Sequence, residues 1–208
     1  MKKEGIPLSI VLASQSPRRQ ALLRQIGLPF RVLTPKGEEK TDLPLPPGQL
    51  VQQLSKQKAQ EVAKQAAPGD LILAADTMVV LDALPLGKPK TEAEAKQMLQ
   101  MLSGRTHLVY TGICLLRGDH CVTDTMEASV TFRSLSDLEI GAYVQTGEPM
   151  DKAGAYGIQG KGSLFVSRIE GDFYTVMGLP LCRLAELLPK FGYFPFGSTL
   201  EGEKEGLT

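Results

Sequence analysis

The most restrictive feature of this chain is an eleven-residue apolar run, Leu71 to Leu81 (LILAADTMVVL), broken only by the adjacent polar pair Asp76-Thr77. Such a run reads as a buried β-strand. A carboxylate inside it is costly unless it is paired or binds a metal. At the C-terminal end of a strand, Asp76 would face the crevice where open α/β sheets bind ligands. There it can hold Mg²⁺ or take a proton from water. The plainer alternative is an Asp satisfied by backbone amides at a strand end.

The rest of the chain alternates strand and helix signals around that run. Ser9–Ala13 reads as a first strand, stopped by Ser14-Gln15-Ser16-Pro17. Ser16 suits an N-cap, Pro17 the first helical position, and Gly27 the C-terminal stop. Phe30–Leu33 follows as a strand, then a proline-rich loop over 34–48, then a helix from Gln49 to Ala67. Thr91-x-x-Glu94 and Ser136-x-x-Glu139 are capping boxes opening two further helices. Between them, Thr106–Arg117 and Cys121–Arg133 alternate as neighbouring strands about an Arg117-Gly118-Asp119 turn. Leu164–Ile169 and Phe173–Val176 read as a hairpin, and Leu181–Leu188 as a closing helix. The interleaving predicts an α/β fold with a mixed sheet. Residues 1–195 read as a single domain and 196–208 as a polar tail.

Composition narrows the function classes. Lys plus Arg and Asp plus Glu both number 23 among 208 residues, so the formal net charge is zero. That balance argues against a duplex-binding protein. The apolar stretch Ile6–Ala13 is short and contains Pro7, so it reads as neither a signal peptide nor a membrane span. These features place the protein in the cytoplasm. Cys114, Cys121 and Cys182 show no metal-ligand spacing and read as small buried or half-buried side chains. His107 and His120 are isolated and read as surface or strand-end residues; Met98 and Met101 read as core.

Four segments can carry chemistry. Ser14-Gln15-Ser16-Pro17-Arg18-Arg19 places two hydroxyls and two guanidiniums at a helix N-terminus, where amides and dipole favour an anion. An ordinary cap with solvated arginines is the alternative. Ala75-Asp76-Thr77 is the second. Gly87-Lys88-Pro89 can extend a cation towards phosphate, or be a surface turn. The fourth, Asp151 to Gly162, fails the phosphate-loop pattern, because Ala155 and Gly162 stand at its required Gly and Ser/Thr positions. Its glycines and single amide, Gln159, suit close approach to a flat base. Lys58, Glu38 and Glu39 read by themselves as a solvated face. No serine-hydrolase elbow is present.

Taken in order, SQSPRR (14–19), ADT (75–77), GKP (87–89) and DKAGAYGIQG (151–160) resemble the Maf family of nucleotide pyrophosphatases, also called septum formation inhibitor proteins. The resemblance runs from about residue 8 to about residue 190. It implies an elongated mixed sheet flanked by helices, in two lobes around a cleft, similar to the inosine triphosphate pyrophosphatases. It implies attack of water on the α-phosphate of a nucleoside triphosphate, assisted by Mg²⁺ or Mn²⁺. The family's proton acceptor falls on Asp76, its loop acid on Glu39, and its lysines on Lys58 and Lys88. Asp76 and Glu39 would hold the metal. Ser14, Ser16, Arg18 and Arg19 would meet the substrate. Arg18, Thr77 and Gln159 match the pattern of members acting on dTTP and UTP. A homodimer is a further family expectation. The alternative function is a nucleotide-binding regulator of cell division working through a protein partner.

Overall fold

The computed structural model describes residues 9–37 and 43–196. The Glu38 and Glu39 assignments, and the tail from 197 onward, lie outside the described residues. A seven-stranded mixed sheet organises the chain, in the order β2-β1-β3-β5-β6-β7, with β4 added on β3. The strands are β1 (Ile10–Leu12), β2 (Phe30–Val32), β3 (Leu71–Leu81), β4 (Leu84–Leu86), β5 (Thr106–Arg117), β6 (His120–Phe132) and β7 (Val166–Gly171). β1 lies parallel to both β2 and β3, and every other pairing is antiparallel.

The helices are α1 (Pro17–Gln25), α2 (Pro47–Ala63), α3 (Glu92–Leu102), α4 (Asp137–Val144), α5 (Phe173–Met177) and α6 (Leu181–Leu187). Among the described residues, no helix is long and apolar enough to cross a membrane. Local chemistry sets their starts. Ser16 Oγ accepts from Arg19 N, with Pro17 at the first helical position. Ser136 and Glu139 complete a reciprocal capping box on α4. The α3 box closes on one side only: Thr91 accepts from Glu94 N, but Glu94 turns its carboxylate to Lys90 N–H. α2 begins two residues before the expected Gln49 because Pro47 already sits at its first turn.

Two further departures have clear causes. Phe173–Met177 is a helix, where a strand was expected. Asp172 caps it by accepting from Tyr174 N and Thr175 N, and Gly178 ends it at φ 98°. The short β4 was not foreseen. Asp82 and Ala83 take φ 49° and 66°, making a two-residue hairpin turn without the usual Asn-Gly signal.

β3 is shared by three apolar clusters. On one face Leu71, Leu73 and Ala75 pack with α1 and α6 residues such as Leu22 and Leu184. Further along the same face, Val79 and Leu81 pack with α3 and α4 residues such as Leu99 and Ile140. On the opposite face Ile72 and Ala74 lie under Ala59 and Val62 of α2. Met98 and Met101 pack against the second cluster, as the sequence suggested.

Candidate active site

β1 ends at Leu12, opposite Leu73, and β4 joins only at Val79. Between them, residues 74–78 of β3 pair on one edge only, with β5. Asp76 and Thr77 occupy this gap, where the first and second clusters leave off. Asp76 is thus the sixth of eleven residues in β3, not its C-terminal residue; the shortness of β1 opens the crevice. Adjacent strand residues project to opposite faces, and the cavity wraps around the free edge to reach both. Its volume is about 760 Å³, within the range of small-molecule sites.

On the α2 face, Lys58 Nζ lies 2.5 Å from Asp76 Oδ1. Asp76 is 8 % exposed, so its charge is offset by a side chain from a helix, not by backbone amides at a strand end. Lys58, read from the sequence as solvated, is drawn inward by that carboxylate.

On the other face, Arg19 is held by three acceptors. Nε donates to Gly178 O at 2.7 Å, Nη1 to Ser14 Oγ at 3.1 Å, and Nη2 to Thr77 Oγ1 at 3.1 Å. Behind it, Thr77 Oγ1 meets Thr111 Oγ1 at 2.9 Å, and Thr111 donates to Thr175 O at 2.8 Å. A Cβ on Gly178 would stand 3.1 Å from Thr77 Oγ1, so this close approach needs glycine. Ser14 and Ser16 line the cavity at the start of α1; Ser16 is engaged in capping.

Arg18 sits at the rim, with Nη1 3.8 Å from Asp151 Oδ2. Asp151 also receives Lys152 Nζ at 2.6 Å, and the same ammonium donates to Glu148 O at 2.6 Å. Burial acts to raise the Asp151 carboxyl, but Lys152 and then Arg18 hold it below the usual aspartate range. Lys88 is exposed and also lines the cavity. Its segment is tied to the neighbouring turn by Gly154 N donating to Gly87 O at 3.1 Å.

Gln159 stands apart. It is exposed and does not line the cavity, although Gly157 and Ile158 beside it do. The surrounding glycines make room for an internal carboxylate. Cβ atoms on Gly160 and Gly162 would come within 2.4 Å of Glu148 and 2.7 Å of Tyr143 Oη respectively. Glu148 accepts from Lys161 N, Gly162 N and Tyr143 Oη at 3.0, 3.2 and 2.9 Å. Burial works to raise this carboxyl, but those three donors and Lys152 hold it below its ordinary range.

The sequence reading missed Asp151, Lys152 and Tyr156 as cavity residues. The first two carried a signal, a charged pair opening a glycine-rich segment; Tyr156 carried none. His107 is buried at 2 % exposure, with Nε2 2.9 Å from Tyr156 Oη, so it is not a surface residue. Cys114 is buried and Cys121 half-buried as expected, whereas Cys182 is exposed. Among the described residues, no three His, Cys, Asp or Glu side chains cluster at metal-binding distance.

Similarity to known proteins agrees with the motifs. The family model described as Maf-like protein matches residues 9–191. A dTTP/UTP pyrophosphatase of Symbiobacterium thermophilum is 50 % identical over 184 residues, covering 88 % of this chain and 94 % of the relative. A dTTP/UTP pyrophosphatase of Bacillus cereus is 47 % identical over 192 residues, covering 92 % and 94 %. Among solved structures, a HAM1 protein from Coxiella burnetii aligns with 88 % of this chain and 99 % of its own at 20 % identity, with a TM-score of 0.49. With a family model spanning nearly all of the sheet and the cavity, and relatives at half identity over most of its length, the chain belongs to the Maf-like protein family.

Proposed function

We propose that this protein is a cytoplasmic nucleoside triphosphate pyrophosphatase that hydrolyses dTTP and UTP to the monophosphate and pyrophosphate. The observation that carries the reading is the Lys58–Asp76 pair on the unpaired edge of β3, facing a cavity ringed by Arg18, Arg19 and Lys88. A polyphosphate needs cations around its oxygens and a base near the attacked phosphorus. The relatives named above supply the choice of nucleotide.

In this reading Asp76 accepts the proton of the attacking water. The new bond forms between the water oxygen and the α-phosphorus. The bond from that phosphorus to the α,β-bridging oxygen breaks, and pyrophosphate leaves. Lys58 orients the Asp76 carboxylate and offsets its charge. Lys88 and Arg18, at the rim, meet the outer phosphate oxygens. Arg19, with Ser14 and Thr77, forms the wall on the opposite face.

The donor set suits Mg²⁺ or Mn²⁺. Such an ion needs only one or two carboxylates when phosphate oxygens and water complete its shell. Asp76 provides one carboxylate at the cavity, and Glu39 is the proposed second. When bound, the ion neutralises charge on the phosphate oxygens and lowers the pKa of water.

Single-turnover hydrolysis of UTP in ¹⁸O-water tests the bond assignment. The label is expected in UMP. Label in pyrophosphate, or release of orthophosphate, would overturn it. Tight UTP binding without turnover at any metal concentration would support the regulatory alternative.

A further inference from the structure

One wall of the cavity lies outside helix and sheet. After β2, Leu33 N makes a last bond to the sheet, donating to Leu12 O at 3.1 Å. The chain then runs as Thr34-Pro35-Lys36-Gly37 with neither helix nor strand. Thr34, Pro35 and Gly37 nevertheless line the cavity together with Lys58 and Asp76. Such a segment must find partners for its amides elsewhere. Among the described residues the partner is Glu61, whose Oε1 accepts from both Lys36 N and Gly37 N.

The clasp is close. A Cβ on Gly37 would stand 3.0 Å from Glu61 Oε2. Glu61 follows Lys58 by about one turn of α2, and residues so spaced share a helix face. That face therefore sends one side chain to Asp76 and another to the amides of the wall. Glu61 itself does not line the cavity.

We infer that Glu61 is a positioning residue, holding the 34–37 segment in place as a wall of the nucleotide cavity. This rests on the proposed pyrophosphatase reading. Hydrogen bonds from two amides to one carboxylate are charge-assisted and stronger than neutral ones. Without them the segment opens, and only a fraction of the protein keeps a complete cavity. Apparent affinity for the nucleotide falls by that fraction, while bound nucleotide still meets a closed wall.

The experiment compares wild type, Glu61→Ala and Glu61→Gln, with folding checked by urea titration. Two quantities are read: kcat and KM for UTP, and the rate of trypsin cleavage at Lys36–Gly37 without nucleotide, followed by mass spectrometry. The scissile peptide carries the clasped Gly37 N–H, and cleavage through local opening follows the open population. In Glu61→Ala, KM is expected to rise about tenfold, the scale of one charge-assisted hydrogen bond, with kcat nearly unchanged. Cleavage at Lys36–Gly37 should accelerate severalfold. Glutamine keeps an oxygen that can accept from both amides, so it should bring both readouts back towards wild type. An unchanged KM in folded Glu61→Ala, or a raised KM with unchanged cleavage, overturns the inference. Absence of UTP hydrolysis by wild type would instead sink the pyrophosphatase reading and leave the cleavage readout intact, so the two failures are distinguishable.

Discussion

The Lys58 ammonium and the Asp76 carboxylate meet 2.5 Å apart, with only 13 % and 12 % of their side chains exposed. Each is the other's answer to burial, and the pair sits where β3 has lost its parallel neighbour. Breaking such a pair from one side leaves an uncompensated charge. Lys58→Met is expected to lower stability by roughly 1–3 kcal/mol, below the full cost of a deeply buried pair because the cavity admits water. Adding Asp76→Asn should recover part of that loss, which urea titration of the single and double variants checks. Full additivity would show that the two groups do not interact.

Asp76→Asn alone separates chemistry from folding. Turnover of UTP should drop by roughly two orders of magnitude or more. The unfolding midpoint should fall by less than in Lys58→Met, since the Lys58 ammonium loses its counter-charge but an amide oxygen can still accept from it. Near-normal turnover would make Asp76 structural.

Gly178→Ala probes the wall that holds Arg19. The position has φ 98°, and the added Cβ would stand 3.1 Å from Thr77 Oγ1 and 3.5 Å from Arg19 Nη2. Strain of this kind costs about 1–2 kcal/mol. The expected result is a lower melting temperature together with a loss in kcat/KM that is alike for UTP and CTP. A variant indistinguishable from wild type would contradict the hydrogen bonds that hold Arg19 against Gly178 and Thr77.

Stability should fall in mild acid through His107. Burial lowers its pKa from 6.5 to about 4. The unfolded chain therefore binds this proton more readily than the folded one. The contribution is complete above pH 6.5 and is lost as pH falls from there towards 4. It amounts to about 3 kcal/mol at most, from the size of the shift. His107→Gln keeps a partner for Tyr156 without titrating, so its urea midpoint should vary less between pH 7 and pH 5. An equal acid slope in both proteins would place the effect elsewhere.

Much of this fold was legible because local and global signals agree. β3 could be read from its apolar run, and α1 from Ser16, Pro17 and Gly27 acting together. Phe173–Met177 misled because its residues favour strands; the Asp172 cap and Gly178 stop were the stronger signals. β4 hid behind Pro85 and an Asp-Ala turn. In the site, the cation-bearing motifs were visible, but the pairing of Lys58 with Asp76 depends on how α2 crosses β3. No period or spacing encodes that crossing. Thr111 was invisible for another reason: a threonine in an alternating strand looks like any other, and its contacts, to Thr77 and Thr175, are distant in sequence. The glycines of 154–162 were noticed correctly but for a flat ligand, whereas Gly157, Gly160 and Gly162 crowd Glu148, Lys152 and Tyr143.

Gln159 stands among those glycines. Exposed and outside the cavity lining, it is expected to leave the UTP/CTP ratio within about twofold when changed to alanine, the scale of a surface substitution. A tenfold collapse would show that the loop swings inward with substrate and reads the base there.

One assay addresses both the reaction and the substrate. Purified protein is offered each common ribo- and deoxyribonucleoside triphosphate with Mg²⁺ or Mn²⁺, and pyrophosphate and orthophosphate are measured separately. The expected result is pyrophosphate with matching monophosphate, fastest from dTTP and UTP and well ahead of dCTP and CTP. Orthophosphate as the first product, or brisk release from another nucleotide with none from dTTP or UTP, would contradict it.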